Sequence, residues 1–186
     1  MNFNQIETER LILRKFLPSD AADMFKNYCN SENVCRFMPW SPHGNIEATR
    51  EYLQMVLNSY NDKESNRLDL AIVLKEIGQV IGSISISRVN LVDNNCDLGF
   101  CIGENFWGKG ITSEAGKALI KFVFENTPIE RIQARHIKEN IGSGKVMEKI
   151  GMDYEGTFRH SVKFKDGNYV DMAYRSIIRE DYERGI

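Results

Sequence analysis

Hydrophobic and polar positions change period several times along this chain. Leu11-Ile12-Leu13-Arg14-Lys15-Phe16 reads as a first strand. Pro18-Ser19-Asp20 then predicts a helix start, with Ser19 or Asp20 available to cap exposed amides. Met24, Phe25 and Tyr28 give that helix an apolar side. The run Phe37-Met38-Pro39-Trp40-Ser41-Pro42 breaks regular structure. Asn45 is placed to cap a second helix, in which Ala48, Tyr52, Leu53, Val56 and Tyr60 fall near helical spacing.

A strand-rich block follows. Leu68 to Leu74 reads as a strand, Ile77-Gly78-Gln79 as a turn, and Val80 to Val89 as the next strand. Alternation puts Val80, Ile84 and Ile86 on one face and Ser83 and Ser85 on the other. A turn at Asp93-Asn94-Asn95 leads into a strand from Cys96 to Ile102. The period then switches. Ile111, Ala115, Ala118, Leu119, Phe122 and Val123 mark a strongly amphipathic helix. Arg131 to Ile137 is a strand, and Gly142 to Ile150 a helix ended by Gly151. Asp166-Gly167 between Thr157–Phe164 and Tyr169–Ile177 predicts a hairpin. This order implies an α+β or mixed α/β fold on a largely antiparallel sheet.

Composition narrows the functional classes. The 186 residues carry no Gly/Pro/Ser linker and predict one domain spanning 1–186. Lys plus Arg is 24 and Asp plus Glu is 26, a balance that argues against nucleic acid as the primary ligand. No run of ~18 or more apolar residues predicts a membrane span. Glu7, Glu9 and Arg10 stand where a signal peptide needs its apolar core, so a cytoplasmic location is expected. Cys29, Cys35, Cys96 and Cys101 form no C-x-x-C pair, and His43, His136 and His160 are scattered. Reduced, partly buried thiols and no metal site are therefore expected.

The segment richest in chemistry is Asn105-Phe106-Trp107-Gly108-Lys109-Gly110-Ile111-Thr112-Ser113-Glu114-Ala115, between a strand and an amphipathic helix. The first amides of a helix lack internal partners and lie at the positive end of its dipole. Glycines there let a phosphate approach the backbone, and Lys109 adds charge. The spacing fits neither a Walker A loop nor the dinucleotide fingerprint, and by itself is equally compatible with a tight turn.

A second segment weights the choice. Asn140-x-x-Ser143-x-Lys145-x-Met147-x-Lys149-Ile150-Gly151-Met152 follows the next strand, with Glu155-Gly156 after it. With Trp107-Gly108-Lys109-Gly110 and Glu114-Ala115, this resembles the GNAT superfamily of acetyl-CoA-dependent N-acetyltransferases. Thr8-Glu9-Arg10-Leu11-Ile12-Leu13-Arg14, Met38-Pro39-Trp40, Asp97-Leu98-Gly99-Phe100 and Asp166-Gly167-x-Tyr169-x-Asp171 resemble its ribosomal-protein N-terminal acetyltransferase branch, the RimJ/RimL type. The resemblance runs along essentially the whole chain.

It implies a bent, mostly antiparallel sheet of about seven strands with helices on both faces. Two central strands, here Cys96–Ile102 and Arg131–Ile137, would splay into a V-shaped cleft. It implies acetyl-CoA as cosubstrate, its pantetheine pairing with backbone of Phe100, Cys101 and Ile102. The pyrophosphate would meet Gly108, Lys109, Gly110, Ile111, Thr112 and Ser113, with Asn140, Ser143 and Lys145 as further contacts. Phe37, Met38 and Trp40 lie in the region that covers the acceptor, or else anchor a buried loop.

The implied reaction is direct attack of a neutral primary amine on the thioester, through an oxyanion, with loss of CoA thiolate. Asp97 is the candidate to hold a cationic amine and accept its proton through water, or else a strand-edge carboxylate in a salt link. His136 is a rival base. Many relatives carry Tyr seven residues after the Asn of the second segment; Met147 stands there and has no proton to give. Ser143 is the remaining candidate to donate to the thiolate. An α-amine near ~8 needs only modest help at neutral pH, and a lysine near ~10.4 needs more. The acceptor is a protein N-terminus or a small amine, polyamine or antibiotic. A catalytically weak acetyl-CoA-binding regulatory module is the alternative of a different class. The protein is expected to be a monomer or homodimer.

Overall fold

The computed structural model describes residues 3–62 and 64–185. Eight strands among them form one sheet: β1 (Gln5–Glu7), β2 (Leu11–Arg14), β3 (Leu68–Leu74), β4 (Gln79–Asn90), β5 (Asn95–Ile102), β6 (Arg131–Ile137), β7 (Asp153–Lys163) and β8 (Tyr169–Ile178). Their spatial order is β1-β2-β3-β4-β5-β6-β8-β7, and only β5 and β6 run parallel. The helices are α1 (Ala21–Met24), α2 (Glu32–Cys35), α3 (Ile46–Ser59), α4 (Ile111–Asn126), α5 (Ile141–Lys149) and α6 (Arg179–Glu183). The fold is mixed α/β on a mostly antiparallel sheet, as the element order implies. The strand beyond the expected seven is the three-residue β1. No helix among the described residues is long and apolar enough to cross a membrane.

Two apolar layers sandwich the sheet. On one face α4 buries Ile111, Ala115, Leu119, Ile120, Val123 and Phe124 against Leu70, Ile72, Ile84, Ile86 and Ile132. Each of these Ile, Leu, Val and Phe side chains contributes about 1.5–3 kcal/mol relative to exposure. On the other face α1 and α3 supply Ala21, Met24, Leu53 and Val56, packed on Ala71, Val73 and Val80. Alternation along β4 predicts Val80 on the same face as Ile84 and Ile86. The structure separates them. Ile72 pairs with Gly82 and Val73 with Val80, so Ile81 is an extra residue in a bulge. A bulge resets the two-residue period, and Val80 moves to the α1/α3 layer while Ile81 joins the α4 layer.

Capping follows the sequence in most places. Asn45 Oδ1 accepts from the Ala48 amide at 3.0 Å and starts α3. Gly151 has φ +89° after α5, with its amide bonded to the Glu148 carbonyl and that of Met152 to the Met147 carbonyl. This double bond pattern satisfies the helix's last carbonyls. Asp20 differs. Its carboxylate accepts from Leu17 N at 2.8 Å and from both terminal nitrogens of Arg14, binding the turn back to β2 instead of capping forward.

The feature that creates a site is the limited pairing of β5 with β6. Their parallel register covers only Asn95↔Arg131, Cys96↔Ile132 and Asp97↔Gln133. Beyond Asp97 the strands part. The inner edge of β5 from Leu98 onward is left facing a gap.

Candidate active site

A cavity of about 640 Å³ occupies that gap, a size suited to a cofactor-sized ligand. One wall is β5, through Phe100, Cys101 and Ile102. A second is the glycine loop and the start of α4: Trp107, Gly108, Gly110, Ile111, Thr112 and Ser113. A third is α5 with Asn140, Ser143, Lys145 and Lys149. The fourth comes from α2 and the segment after it, including Asn33, Arg36, Phe37 and Met38. Of the candidate residues, Lys109, Trp40, Asp97 and His136 stand outside this wall. A concavity of similar volume, about 630 Å³, follows a bulge in β7 between Phe158 and Val162. It is a broad surface hollow, whereas the first is a cleft between secondary-structure elements.

The glycine loop is shaped by its backbone. Gly108 and Gly110 have φ of +73° and +74°, a region that residues with a Cβ rarely enter. A Cβ at Gly108 would meet nothing within 4 Å, and one at Gly110 only the Arg10 guanidinium, at 3.7 Å. The space over the loop is open to a ligand. Gly110 is the N-cap of α4 and brings no side-chain acceptor. The Glu114 amide bonds to the Gly110 carbonyl, so the helical ladder begins there. The amides of Ile111, Thr112 and Ser113 precede it and head the helix beside the cavity. Such a helix start fits a pyrophosphate.

The cations of this end come from two directions. Lys145 and Lys149 lie one turn apart on α5. The Lys109 side chain instead lies over the Phe106 ring, with Nζ 5.7 Å from its centroid. Arg10, given no role by the sequence reading, reaches in from the β1–β2 turn. Its Nη1 donates to the Lys109 carbonyl at 3.0 Å and its Nε to Glu114 Oε2 at 2.7 Å. The only signal for it was the run Thr8-Glu9-Arg10 itself.

On β5, Ile102 is already engaged: its carbonyl accepts from Trp107 Nε1 at 2.9 Å. Half-exposed Trp107 thus ties the strand end to the loop. Burial, reinforced by neighbouring thiols, holds the Cys101 thiol well above its ordinary range. It is a packing group and a poor nucleophile. On α5, Asn140 Oδ1 accepts from the Ser143 amide at 3.2 Å and caps the helix. The Asn140 amide nitrogen and the Ser143 hydroxyl have no protein partner among the described residues, and both residues line the cavity. Met147 points into the core, 3% exposed. His136 lies on the α5 side of β6, its Nδ1 2.8 Å from the Ile137 carbonyl and its ring against Gly144.

Asp97 sits at the vertex where β5 and β6 part. Gln133 Nε2 donates to Oδ1 at 2.8 Å and Arg88 Nη1 to Oδ2 at 2.6 Å. The two side chains are unlike: Asp97 is 16% exposed and Arg88 62%. Arg88 occupies a bulge in β4 with φ +50°. Trp40 is half-buried beside His43, with ring centroids 5.7 Å apart. Lys165 of the β7–β8 hairpin donates to the carbonyls of Cys35 and Trp40, joining the hairpin to the segment after α2.

Residues 10–153 match the family described as Acetyltransferase (GNAT) domain. The chain belongs to the GNAT acetyltransferase family. Members use acetyl-CoA, so this GNAT chain is an N-acetyltransferase with acetyl-CoA as its cosubstrate. Its curated relatives include the uncharacterized N-acetyltransferase p20 of Bacillus licheniformis, 31% identical across 94% of this chain and 96% of the relative. The [ribosomal protein uS5]-alanine N-acetyltransferase of Escherichia coli is 25% identical across 97% and 94%. Among solved structures, a GNAT-family acetyltransferase from Bacillus anthracis is similar with a TM-score of 0.81, at 26% identity, covering 95% of this chain and 99% of that one.

Proposed function

We propose that this GNAT enzyme acetylates the α-amine of a protein N-terminus, by direct transfer within a ternary complex. The carrying observation is one continuous cleft. It joins the α4 amides and the α5 lysines at one end to Phe37 and Met38 at the other. The uS5-alanine enzyme among its relatives supports a protein N-terminus as acceptor.

Bound acetyl-CoA supplies the activated acetyl thioester. In this reading the amides of Ile111, Thr112 and Ser113 hold the pyrophosphate, and Lys145 and Lys149 offset its charge. The Asn140 amide nitrogen and the backbone of Phe100 and Cys101 hold the pantetheine in the strand gap. The Ser143 hydroxyl donates to the departing sulfur. Phe37 and Met38 cover the acceptor side and exclude water.

Asp97 acts on the arriving amine. Its bond to Arg88 joins a mostly buried carboxylate to a guanidinium that lies mostly in water, so the cation's side of the pair is open to exchange. A substrate ammonium can therefore displace Arg88 and be held, with its proton passing to the carboxylate through water. Proximity supplies the larger share of the rate. An α-amine near ~8 is already partly neutral at pH 7, which matches a candidate base, Asp97, that is shared with a cation.

The test is acetyl-CoA-dependent thiol release with a panel of amines: peptides with varied N-termini, spermidine and an aminoglycoside. Release with N-terminal peptides, lost when their α-amine is blocked, is expected. Release with spermidine or the aminoglycoside alone replaces the proposed acceptor with a small amine. CoA binding without any release converts the reading to a regulatory module.

A further inference from the structure

The β1–β2 turn grips the glycine loop from outside the cavity, through a set of bonds more extensive than a turn needs. Arg10 makes four of the five, and Thr8 the other. Its Nη1 holds the carbonyl of Lys109, the residue between the two left-handed glycines. Its Nε and Nη2 hold Glu114 Oε2 at 2.7 and 2.6 Å, one turn inside α4. Its own backbone amide donates to Glu114 Oε1 at 3.0 Å, where the Thr8 hydroxyl also donates. The turn is itself fixed from behind. Lys75 donates through its backbone amide to the Arg10 carbonyl at 2.9 Å and through Nζ to the Thr8 carbonyl at 2.7 Å.

Glu114 responds to this setting. Burial opposes its ionisation, but the hydrogen bonds from Thr8 and Arg10 and the guanidinium charge outweigh burial and hold the carboxyl below its usual range. The ionised pair is the resting state.

We infer that Arg10 is a positioning residue for acetyl-CoA, a clamp that fixes the glycine loop against the first turn of α4 so that the Ile111, Thr112 and Ser113 amides face the pyrophosphate. Glycine has the widest conformational freedom of any residue. A loop with two glycines around Lys109 loses much entropy when it closes on a ligand, and a loop already held loses less. The guanidinium suits the task because its planar fork serves a carboxylate and a carbonyl at once, which a lysine ammonium on a flexible stem cannot reproduce.

This inference rests on the acetyl-CoA reading and is tested so that the two fail separately. The variants are Arg10→Lys and Arg10→Met, with Glu114→Gln as the partner from the other side. CoA affinity is measured by titration calorimetry. Steady-state kinetics are run with acetyl-CoA and with S-acetylpantetheine, which lacks the pyrophosphate. The clamp predicts CoA binding about tenfold weaker in both Arg10 variants, the scale of losing charge-assisted contacts. It predicts a raised KM for acetyl-CoA, a nearly constant kcat, and an unchanged kcat/KM for S-acetylpantetheine. Glu114→Gln shifts the same quantities in the same direction. A purely architectural tie lowers the melting temperature but leaves the preference for acetyl-CoA over S-acetylpantetheine intact, and that result overturns the clamp. Rescue by Arg10→Lys also overturns it, because charge alone then suffices. A wild-type protein that does not bind CoA overturns the acetyl-CoA reading and the clamp with it.

Discussion

The α4 end of the cleft and the vertex where β5 and β6 part are made of different material. At the α4 end the groups on offer are backbone amides, placed by two glycines in a left-handed conformation. At the vertex the groups are side chains: Asp97 from β5, Arg88 from β4 and Gln133 from β6. The first end takes its shape from the two glycines and from Arg10, which braces the loop from about a hundred positions away, and it offers backbone groups whatever side chains flank it. The second depends on three side chains from three strands and on an ion pair whose Arg88 side is open to water. Damage at the first should therefore act through shape, and damage at the second through charge.

The largest expected effect lies at the backbone end. Gly110→Val forces a β-branched residue into φ near +74°, so the loop must shift. CoA affinity should fall by about 100-fold or more, since several amide contacts are lost together. Calorimetry on the folded variant checks this, and wild-type affinity would show that the amides are not used. Next comes the charge end. Asp97→Asn should lower kcat/KM for the amine about tenfold, on the scale of one charge-assisted contact. The KM for acetyl-CoA should stay put. Arg88→Met should not impair the amine step and should raise amine affinity, because it removes the competing cation. If both variants lose activity equally, Asp97 is a structural anchor and the contrast between the ends dissolves. Ser143→Ala is smaller, a drop in kcat of about 3- to 10-fold, as the thiolate is already a tolerable leaving group near pKa ~8.5. A loss that grows with poorer thiol leaving groups would sharpen its assignment as donor.

The smallest effect lies beside the vertex. Hydrogen bonds from Arg131, then Ser176, hold the Glu155 carboxyl at about 2, below its usual 4.5. A lowered carboxyl contributes stability that is complete above pH 4.5 and fades as pH falls toward 2. Arg131→Met should flatten that part of the stability–pH curve, measured by urea midpoints, and leave neutral-pH CoA binding unchanged. A variant that keeps the full wild-type acid slope would assign the slope to other carboxylates.

The same contrast explains what was legible in the sequence. Periodicity located α4, β3, β5 and β6, because each is long enough to show its buried face. The hairpin at Asp166-Gly167 followed from turn chemistry: Gly167 has φ +87°, and the Phe164 amide meets the Asn168 carbonyl across it. The cleft's position followed from the resemblance carried by ordered motifs around Gly108–Ser113 and Asn140–Ser143. Three things did not show. The bulge at Ile81 leaves no trace in a run of alternating apolar residues, since Val80 and Ile81 are both apolar and both buried. Asp20 looks like a cap but is held by Arg14, six residues back at the end of β2, a pairing that the pattern of a helix start does not reveal. Arg10 lies 104 positions before Glu114, so its hold on the loop exists only after folding.

The central claim is that the amides heading α4 receive the pyrophosphate. An amide-resolved NMR titration tests it most directly, comparing CoA with pantetheine as ligands. The account predicts large shifts and slowed hydrogen exchange at Ile111, Thr112 and Ser113 with CoA, and little change at those amides with pantetheine. Equal perturbation by both ligands, or none by CoA while Asn140 and Phe100 respond, would contradict it.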